Sequence, residues 1–191
     1  MPRAGLSRDA VVDIAIEIVD DGGPPAVTLA AVADRAGVAT PSLYKHVAGL
    51  TELRVLLALR VMAELTERLA DAVIGRSRDD AVRALMQAYR AYVVEHPRRY
   101  AAVPVQPLGD PRLQPAGDRL LGIILAVLRG YGLHGSAAIH AARALRSATH
   151  GFAIIEAAGG FGLPEDLDAS YEHLTGMIVA GIHMLADQPV P

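Results

Sequence analysis

The chain has 191 residues, of which 52% are hydrophobic and 4% aromatic, and it contains no cysteine. So much apolar surface excludes a disordered chain. The missing cysteines exclude disulfides, thiolate metal sites and a cysteine nucleophile. The formal net charge of −3 shows no basic footprint, so any case for nucleic-acid binding must rest on a local pattern.

No segment of the sequence predicts insertion into a membrane. The longest apolar run, residues 120–128, is roughly a third to a half of a membrane span and indicates a core helix. The first residues include Arg3 and Arg8 but no apolar stretch of the signal-peptide type. We therefore expect a cytoplasmic protein with no membrane partner.

Helical periodicity continues almost from end to end and strand patterns are nearly absent, so we predict an all-α fold. Ser7 can cap a first helix, which ends at the Asp-Asp-Gly-Gly-Pro-Pro run of residues 20–25. Residues 120–131 are apolar all round, which predicts a helix buried on every side. Another short helix is predicted directly after Thr28. The remaining predicted helices lie at 40–47, 50–74, 79–95, 120–131, 136–158 and 167–185.

Residues 28–47 have the pattern of two short helices joined by a glycine turn, as in a helix-turn-helix motif. Gly37 suits a turn with positive φ, while Ala33, Val38 and Leu43 supply a small core. Polar side chains would then face a DNA major groove, where hydroxyl and ammonium groups bind phosphates and base edges. The residues expected to contact DNA are Thr28, Thr40, Pro41, Ser42, Tyr44, Lys45 and His46, with Arg3 and the neighbouring Arg8 on an N-terminal arm. Two ordinary short helices of a bundle remain the alternative on periodicity alone.

The same segment strongly resembles the DNA-binding domain of the tetracycline-repressor (TetR) family. The matching positions are Thr28, Val32, Ala33, Ala36, Gly37, Val38, Ser42, Leu43, Tyr44, His46 and Val47. The resemblance implies a three-helix DNA-binding domain, followed by about six helices for ligand binding and dimerisation. We accordingly expect a helix-turn-helix domain at 1–48 and an effector-binding and dimerisation domain at 49–191. It also implies double-stranded operator DNA, a second copy of the chain and a small-molecule effector as partners.

Two departures from the family pattern stand out. Residues 144–162 resemble a C-terminal subtype named for a Trp-His-Gly trio, in which His150 and Gly151 match but Arg146 stands at the Trp position. Leu50 stands where many members have a lysine that binds phosphate. The first departure leaves the ligand choice of the subtype in doubt, and the second shifts the expected DNA contacts toward Lys45 and Thr28.

Within this family the effector cavity lies among the helices predicted here at 50–74, 79–95, 120–131 and 136–158. The residues expected to line it are Met62, Met86, Tyr89, Tyr92, Ile123, Val127 and His150. An apolar wall with a few hydrogen-bonding groups suits a hydrophobic effector of drug-like size. Such a stripe is equally typical of an ordinary core, and that alternative stays open.

Dimerisation is expected because the last two helices have apolar residues that one small domain need not cover alone. These residues are Ile155, Phe161, Tyr171, Leu174 and Ile178. Most members of the family are repressors, so we predict a repressor that an effector releases from a palindromic operator. A ligand-independent architectural DNA-binding protein remains an alternative.

Neither an enzyme nor a metal or cofactor site is predicted. The sequence has no Gly-x-Ser-x-Gly elbow and no glycine loop that follows a strand. His134, His140 and His150 lack the i,i+4 spacing that places two ligands on one helix face. Arg98 and Arg99 are expected to form a solvated helix end.

Overall fold

The structure is a computed structural model that describes residues 6–104 and 110–187. These residues form eight α-helices and two short 3-10 helices, and no β-strand occurs among them, which confirms the predicted all-α fold. The helices are α1 (Arg8–Gly22), α2 (Leu29–Ala36), α3 (Leu50–Val73), α4 (Arg78–Glu95), α5 (Pro97–Tyr100), α6 (Gln114–Arg129), α7 (Gly135–Ala157) and α8 (Leu167–Ala186), with 3-10 helices at Pro24–Ala26 and Thr40–Lys45.

The chain divides into two compact units. Unit 1 comprises Met1–Glu64 and Arg98–Gly117, and unit 2 comprises Leu65–Pro97 and Asp118–Pro191. Helix α3 supplies residues to both units. This division differs from the boundary between 48 and 49 that we predicted on functional grounds, and that functional boundary stays a prediction.

Local chemistry sets the starts and stops of the helices in unit 1. The Ser7 hydroxyl accepts a hydrogen bond from the Ala10 amide at 3.1 Å, as an N-cap does. The Thr28 hydroxyl accepts one in the same way from the Ala31 amide at 3.0 Å. Gly37 ends α2 in the left-handed conformation with φ of 68°, which other residues adopt only with strain. These features confirm the predicted caps and turn.

The second helix of the motif is tighter than an α-helix. Thr40–Lys45 is a 3-10 helix, in which the Ser42 amide donates to the Ala39 carbonyl and the His46 amide to the Leu43 carbonyl, both at 2.8 Å. Such i→i+3 bonds are common in short helical segments. Leu43 is fully buried, as are Val32 and Ala33 of α2, the helix that this segment contacts.

Unit 2 is built around a core formed by α4, α6, α7 and α8. The buried residues at its centre include Leu85, Met86, Leu128, Leu145 and Tyr171. The sequence did not predict α6 correctly. This helix begins at Gln114, six residues before the predicted start at 120, because a proline in the first helical turn costs no hydrogen bond.

The prediction that residues 120–131 are buried on every side is also wrong. In α6 only one stripe is buried, formed by Ile124, Val127 and Leu128, and Ala126 on another side is exposed. The helix is therefore amphipathic within the chain, although its sequence is apolar on both faces.

Candidate nucleic-acid interface and small-molecule sites

Most of the predicted DNA-contacting residues lie in the 3-10 helix Thr40–Lys45 or directly after it. Tyr44 has 58% of its surface exposed, and Lys45 and Pro41 are also exposed, while Leu43 between them is buried. Thr28 is exposed and Thr40, Ser42 and His46 are half-buried. Arg3 lies outside the described residues. The exposed side of this segment therefore has several hydroxyl groups and one positive charge, and the buried Leu43 holds the segment in place.

Most cations of unit 1 are neutralised by neighbouring carboxylates. Arg35 pairs with Asp21 at 2.7 Å. The other pairs of described residues are Arg60–Asp13, Arg99–Asp20, Arg112–Asp110 and Arg8–Glu52. Among the cations of unit 1 that the structure describes, Lys45 and Arg54 have neither an ion pair nor a hydrogen bond. Lys45 is therefore available for a phosphate or a guanine.

Arg8 does not form part of an extended arm, as the sequence suggested. It lies in the first turn of α1 and pairs with Glu52 of α3. The other carboxylate oxygen of Glu52 accepts a hydrogen bond from the Ala48 amide. Arg8 and Glu52 together hold the turn that follows the 3-10 helix.

Arg98 and Arg99 bind the end of α1, and Arg98 is also exposed, as expected of a solvated helix end. The Arg98 guanidinium donates to the carbonyl of Asp20 at 2.7 Å and to that of Asp21 at 2.6 Å. Arg99 donates twice to the Asp20 carboxylate, at 2.7 and 2.6 Å. Cations stabilise the carbonyl end of a helix. Sequence reasoning missed this contact because it joins residues almost eighty positions apart, and no local pattern signals it.

The residues predicted to line an effector cavity fall into two separate clusters. Met62 is buried in a small cluster of unit 1 with Ala58 and Leu113. Met86 and Val127 are buried in the core of unit 2, with Ile123 packed against it. Tyr89 and Tyr92 are also buried, and His150 is half-buried, where burial and the nearby Arg146 charge lower the pKa of its imidazole. Ligand binding by these residues stays a prediction. In this conformation the side chains of Met86, Tyr89 and Tyr92 are buried in the protein interior.

Two adjoining clefts lie instead in unit 1. The first has a volume of about 380 Å³ and the second about 430 Å³. The first is lined by Val19, Pro24, Pro25, Val27, Arg54, Leu57, Ala101 and Ala102. The second is lined by Thr51, Arg54, Val55, Ala58, Ala101, Ala102, Pro104, Asp110, Arg112 and Leu113. Because they share Arg54, Ala101 and Ala102, they form one groove with a cation where they meet.

The last two helices and their connection expose several large apolar side chains. These are Ile154, Ile155, Phe161, Leu163, Met177 and Met184. Of the residues predicted for the dimer interface, Ile155 and Phe161 are exposed, and Leu174 and Ile178 are half-buried. The prediction that Tyr171 lies in the dimer interface is wrong, because this side chain is 1% exposed and its hydroxyl donates to the Met86 carbonyl at 2.7 Å. It belongs to the core of its own chain.

Two glycines of α8 lie close in sequence to its exposed methionines. A Cβ atom added at Gly176 or Gly181 would meet no heavy atom of the described residues within 4 Å. Packing among the described residues therefore does not explain these glycines, each of which costs a helix about 1 kcal/mol relative to alanine. A close approach by a second helix would explain them.

Arg90 joins α4 to the last two helices. Its guanidinium, 8% exposed, forms two hydrogen bonds of 2.6 Å with Glu156 and one of 2.7 Å with Asp168. It also stacks over the ring of Tyr171, with its central carbon 4.7 Å from the ring centroid. Arg90 thereby fixes the ends of α7 and α8 on either side of the exposed Phe161.

Comparisons with known proteins agree with this arrangement. A family model described as "Bacterial regulatory proteins, tetR family" matches residues 11–48, and one described as "Tetracyclin repressor-like, C-terminal domain" matches residues 82–178. An uncharacterized HTH-type transcriptional regulator of Mycobacterium tuberculosis is 38% identical over 181 residues, which cover 94% of this chain and 83% of that protein. The chain belongs to the tetR family.

A second relative in the family is the uncharacterized HTH-type transcriptional regulator YobS of Bacillus subtilis. It is 35% identical over 183 residues, or 95% of each chain. The crystal structure of the TetR family protein ActR of Streptomyces coelicolor in complex with actinorhodin has the same fold, with a TM-score of 0.72 and 20% identity. The match covers 97% of this chain and 100% of that one. The chain is thus a DNA-binding transcriptional regulator and not an enzyme.

The described residues contain neither a membrane-spanning helix nor a group of metal-ligating side chains. None of the helices has both the length and the hydropathy to cross a bilayer. Within 6–104 and 110–187, no three His, Cys, Asp or Glu side chains are grouped so that they could hold a metal ion.

Proposed function

We propose that this tetR-family regulator is a cytoplasmic repressor that binds a palindromic operator as a homodimer and is released by a small hydrophobic effector. The observation that best supports operator binding is the 3-10 helix Thr40–Lys45, which exposes Tyr44 and the unpaired Lys45 beside the buried Leu43. Ammonium and hydroxyl groups held on a rigid element can bind phosphates and base edges. The assigned DNA contacts are those predicted from the sequence.

Dimerisation through α7 and α8 is supported by their exposed apolar side chains. Met177 and Met184 are 64% and 70% exposed, and Gly176 and Gly181 leave room for a second helix beside them. A stable obligate interface buries on the order of 2,000 Å² or more, mostly apolar. Two copies would set their DNA-binding segments about 34–36 Å apart, the spacing of adjacent major grooves on one face of B-DNA.

Effector response is supported by the family and by its fold neighbours, among them the ActR complex with actinorhodin. An effector acts by binding one conformation better than another, and the coupling is typically about 1–3 kcal/mol. Residues 144–162 further suggest the Trp-His-Gly subtype, with Arg146 in place of Trp. We propose His150 as a polar group toward the effector on that ground.

Operator binding by variants of the exposed segment tests the proposal. Duplexes selected from a random pool by the wild-type protein would serve as the operator. Lys45→Ala should weaken binding and lower the slope of log affinity against log salt by about 0.9 for each phosphate that the variant no longer neutralises. Tyr44→Ala should weaken binding with a smaller change in slope.

The matched control is Arg119→Ala, which removes an exposed cation of α6 in unit 2. It should leave both affinity and slope unchanged. Unchanged binding by both Tyr44→Ala and Lys45→Ala would show that another part of the chain contacts DNA.

A further inference from the structure

We propose that the groove around Arg54 in unit 1, formed by the two adjoining clefts, binds an amphipathic organic monoanion such as a carboxylic acid with an apolar body. The inference goes beyond the proposed function, because it adds a second small-molecule site, in unit 1, to the effector site proposed around His150. It differs from the sequence prediction, which placed the effector among Met86, Tyr89 and Tyr92.

The charge of the groove favours an anion. Its lining contains Arg54, Arg112 and Asp110 as charged residues, which give a net charge of +1. Arg112 binds Asp110 at 2.6 Å and lowers the pKa of that carboxyl to about 2, so this pair is neutral overall at physiological pH. The uncompensated charge is that of Arg54, which lies where the two clefts meet and has no partner among the described residues.

The isolation of Arg54 stands out against the rest of unit 1. In that unit the other described arginines each bind a carboxylate or a backbone carbonyl. A guanidinium binds a carboxylate through two parallel hydrogen bonds, which are stronger than those between neutral groups. A ligand carboxylate would give Arg54 the kind of partner that its neighbours find within the chain.

The remaining walls favour an apolar body. Accessible apolar side chains line both clefts, namely Pro24 and Pro25 in the first, Val55 and Pro104 in the second, and Ala101 and Ala102 in both. Volumes of about 380 and 430 Å³ lie within the range of about 300–1,000 Å³ that is usual for small-molecule sites. One uncompensated cation beside these apolar side chains favours a ligand with one acidic group over both a neutral hydrocarbon and a polyanion.

The position of the groove suits an effector of DNA binding. Its walls include Pro24 and Pro25, which shortly precede the exposed Thr28. Its walls also include Ala101 and Ala102, which directly follow the segment through which Arg98 and Arg99 bind the end of α1. An occupant would touch both segments and bias their relative position, which changes the affinity of unit 1 for DNA if the two states bind the ligand differently.

The test is calorimetric titration of the full-length protein with octanoate, alongside octan-1-ol, which has the same chain without the charge. Wild-type protein should bind octanoate saturably, with a dissociation constant of about 1 mM or tighter. Octan-1-ol should bind at least about ten-fold more weakly, as expected when a charge-assisted hydrogen bond is absent. Arg54→Gln should weaken octanoate by a similar factor and leave octan-1-ol unchanged.

Two further variants separate the groove from a general effect of charge. Arg119→Gln makes the same change in net charge outside the groove and should bind octanoate as the wild type does. Ala101→Phe keeps Arg54 but fills the shared part of the groove, from the exposed side. It should therefore abolish binding of both octanoate and octan-1-ol without altering the fold.

The assignment would be overturned by octanoate binding equally to wild type, Arg54→Gln and Ala101→Phe, or by no saturable binding to the wild type. It would also be overturned if Arg54→Gln weakened DNA binding without ligand and lowered its salt slope, since Arg54 would then be a phosphate contact. The proposed function can fail separately. If selection recovers no operator, the regulator hypothesis fails, whereas the octanoate titrations still decide whether the groove binds an anion.

Discussion

Replacing Arg90 with methionine should lower the free energy of unfolding more than the loss of an exposed ion pair does. The Arg90 guanidinium is 8% exposed and its main partner, the Glu156 carboxylate, is 13% exposed. Removing the cation leaves a largely buried carboxylate without its charge partner, which costs about 3–5 kcal/mol. At about 2–4 °C per kcal/mol for a chain of this size, Arg90→Met should lower Tm by about 6–20 °C.

Differential scanning calorimetry at a fixed protein concentration measures this change, because the proposed dimerisation would make Tm depend on concentration. Arg83→Met on the same helix is the matched control, since Arg83 and its partner Glu172 are 46% and 67% exposed and 3.6 Å apart. That exposed pair should contribute less than about 1 kcal/mol. The double variant Arg90→Met with Glu156→Gln should regain part of the missing stability, because the buried Glu156 charge is then absent and the remaining partner, Asp168, is 85% exposed. If Arg90→Met lowers Tm no more than Arg83→Met does, the reasoning on burial is refuted.

Three other predictions follow from unit 2. Gly176→Leu should raise the dimer dissociation constant at least about ten-fold in sedimentation, because a Cβ atom at Gly176 meets no heavy atom of the described residues and the longer side chain would meet the partner helix, whereas Gly122→Leu on α6 should leave it unchanged; an unaffected dimer in both would remove this face of α8 from the interface. Thr175→Val should raise the free energy of unfolding, measured in urea, by about 1 kcal/mol, because the buried Thr175 hydroxyl has no hydrogen-bond partner among the described residues; a lower free energy of unfolding would show that the hydroxyl forms a hydrogen bond. The hydrogen bond from Tyr131 lowers the pKa of Asp79 below its unfolded value of 3.8, so the stabilisation is fully present above pH 3.8 and disappears as pH falls through the lower folded value. Asp79→Asn should therefore lower Tm at pH 7, and the decrease should become smaller as the pH falls below 3.8; a decrease that does not change with pH would contradict this.

Features that depend on neighbouring residues could be predicted from the sequence. The Ser7 and Thr28 caps and the positive φ of Gly37 each follow from the chemistry of one residue and the next few along the chain. The exposure of Tyr44 and the burial of Leu43 follow in the same way from the helical repeat.

Features that depend on distant contacts could not be predicted. The binding of Arg98 to the end of α1 and the burial of Tyr171 under α4 join residues that are far apart in the sequence. An apolar residue on a helix can face its own core or a partner, and periodicity does not distinguish the two. The sequence also does not show that the charge of Arg54 is uncompensated. This becomes visible only once the ion pairs of the other arginines of unit 1 are known.

Selection of DNA sites from a pool of random duplexes tests the central claim most directly, namely that two copies of this chain read DNA through the segment around Tyr44 and Lys45. The account predicts that wild-type protein enriches palindromic sites whose half-site centres are about 10 base pairs apart. The Tyr44→Ala and Lys45→Ala proteins should enrich these sites weakly. Enrichment of a single non-palindromic site, or equal enrichment by wild type and both variants, would contradict it.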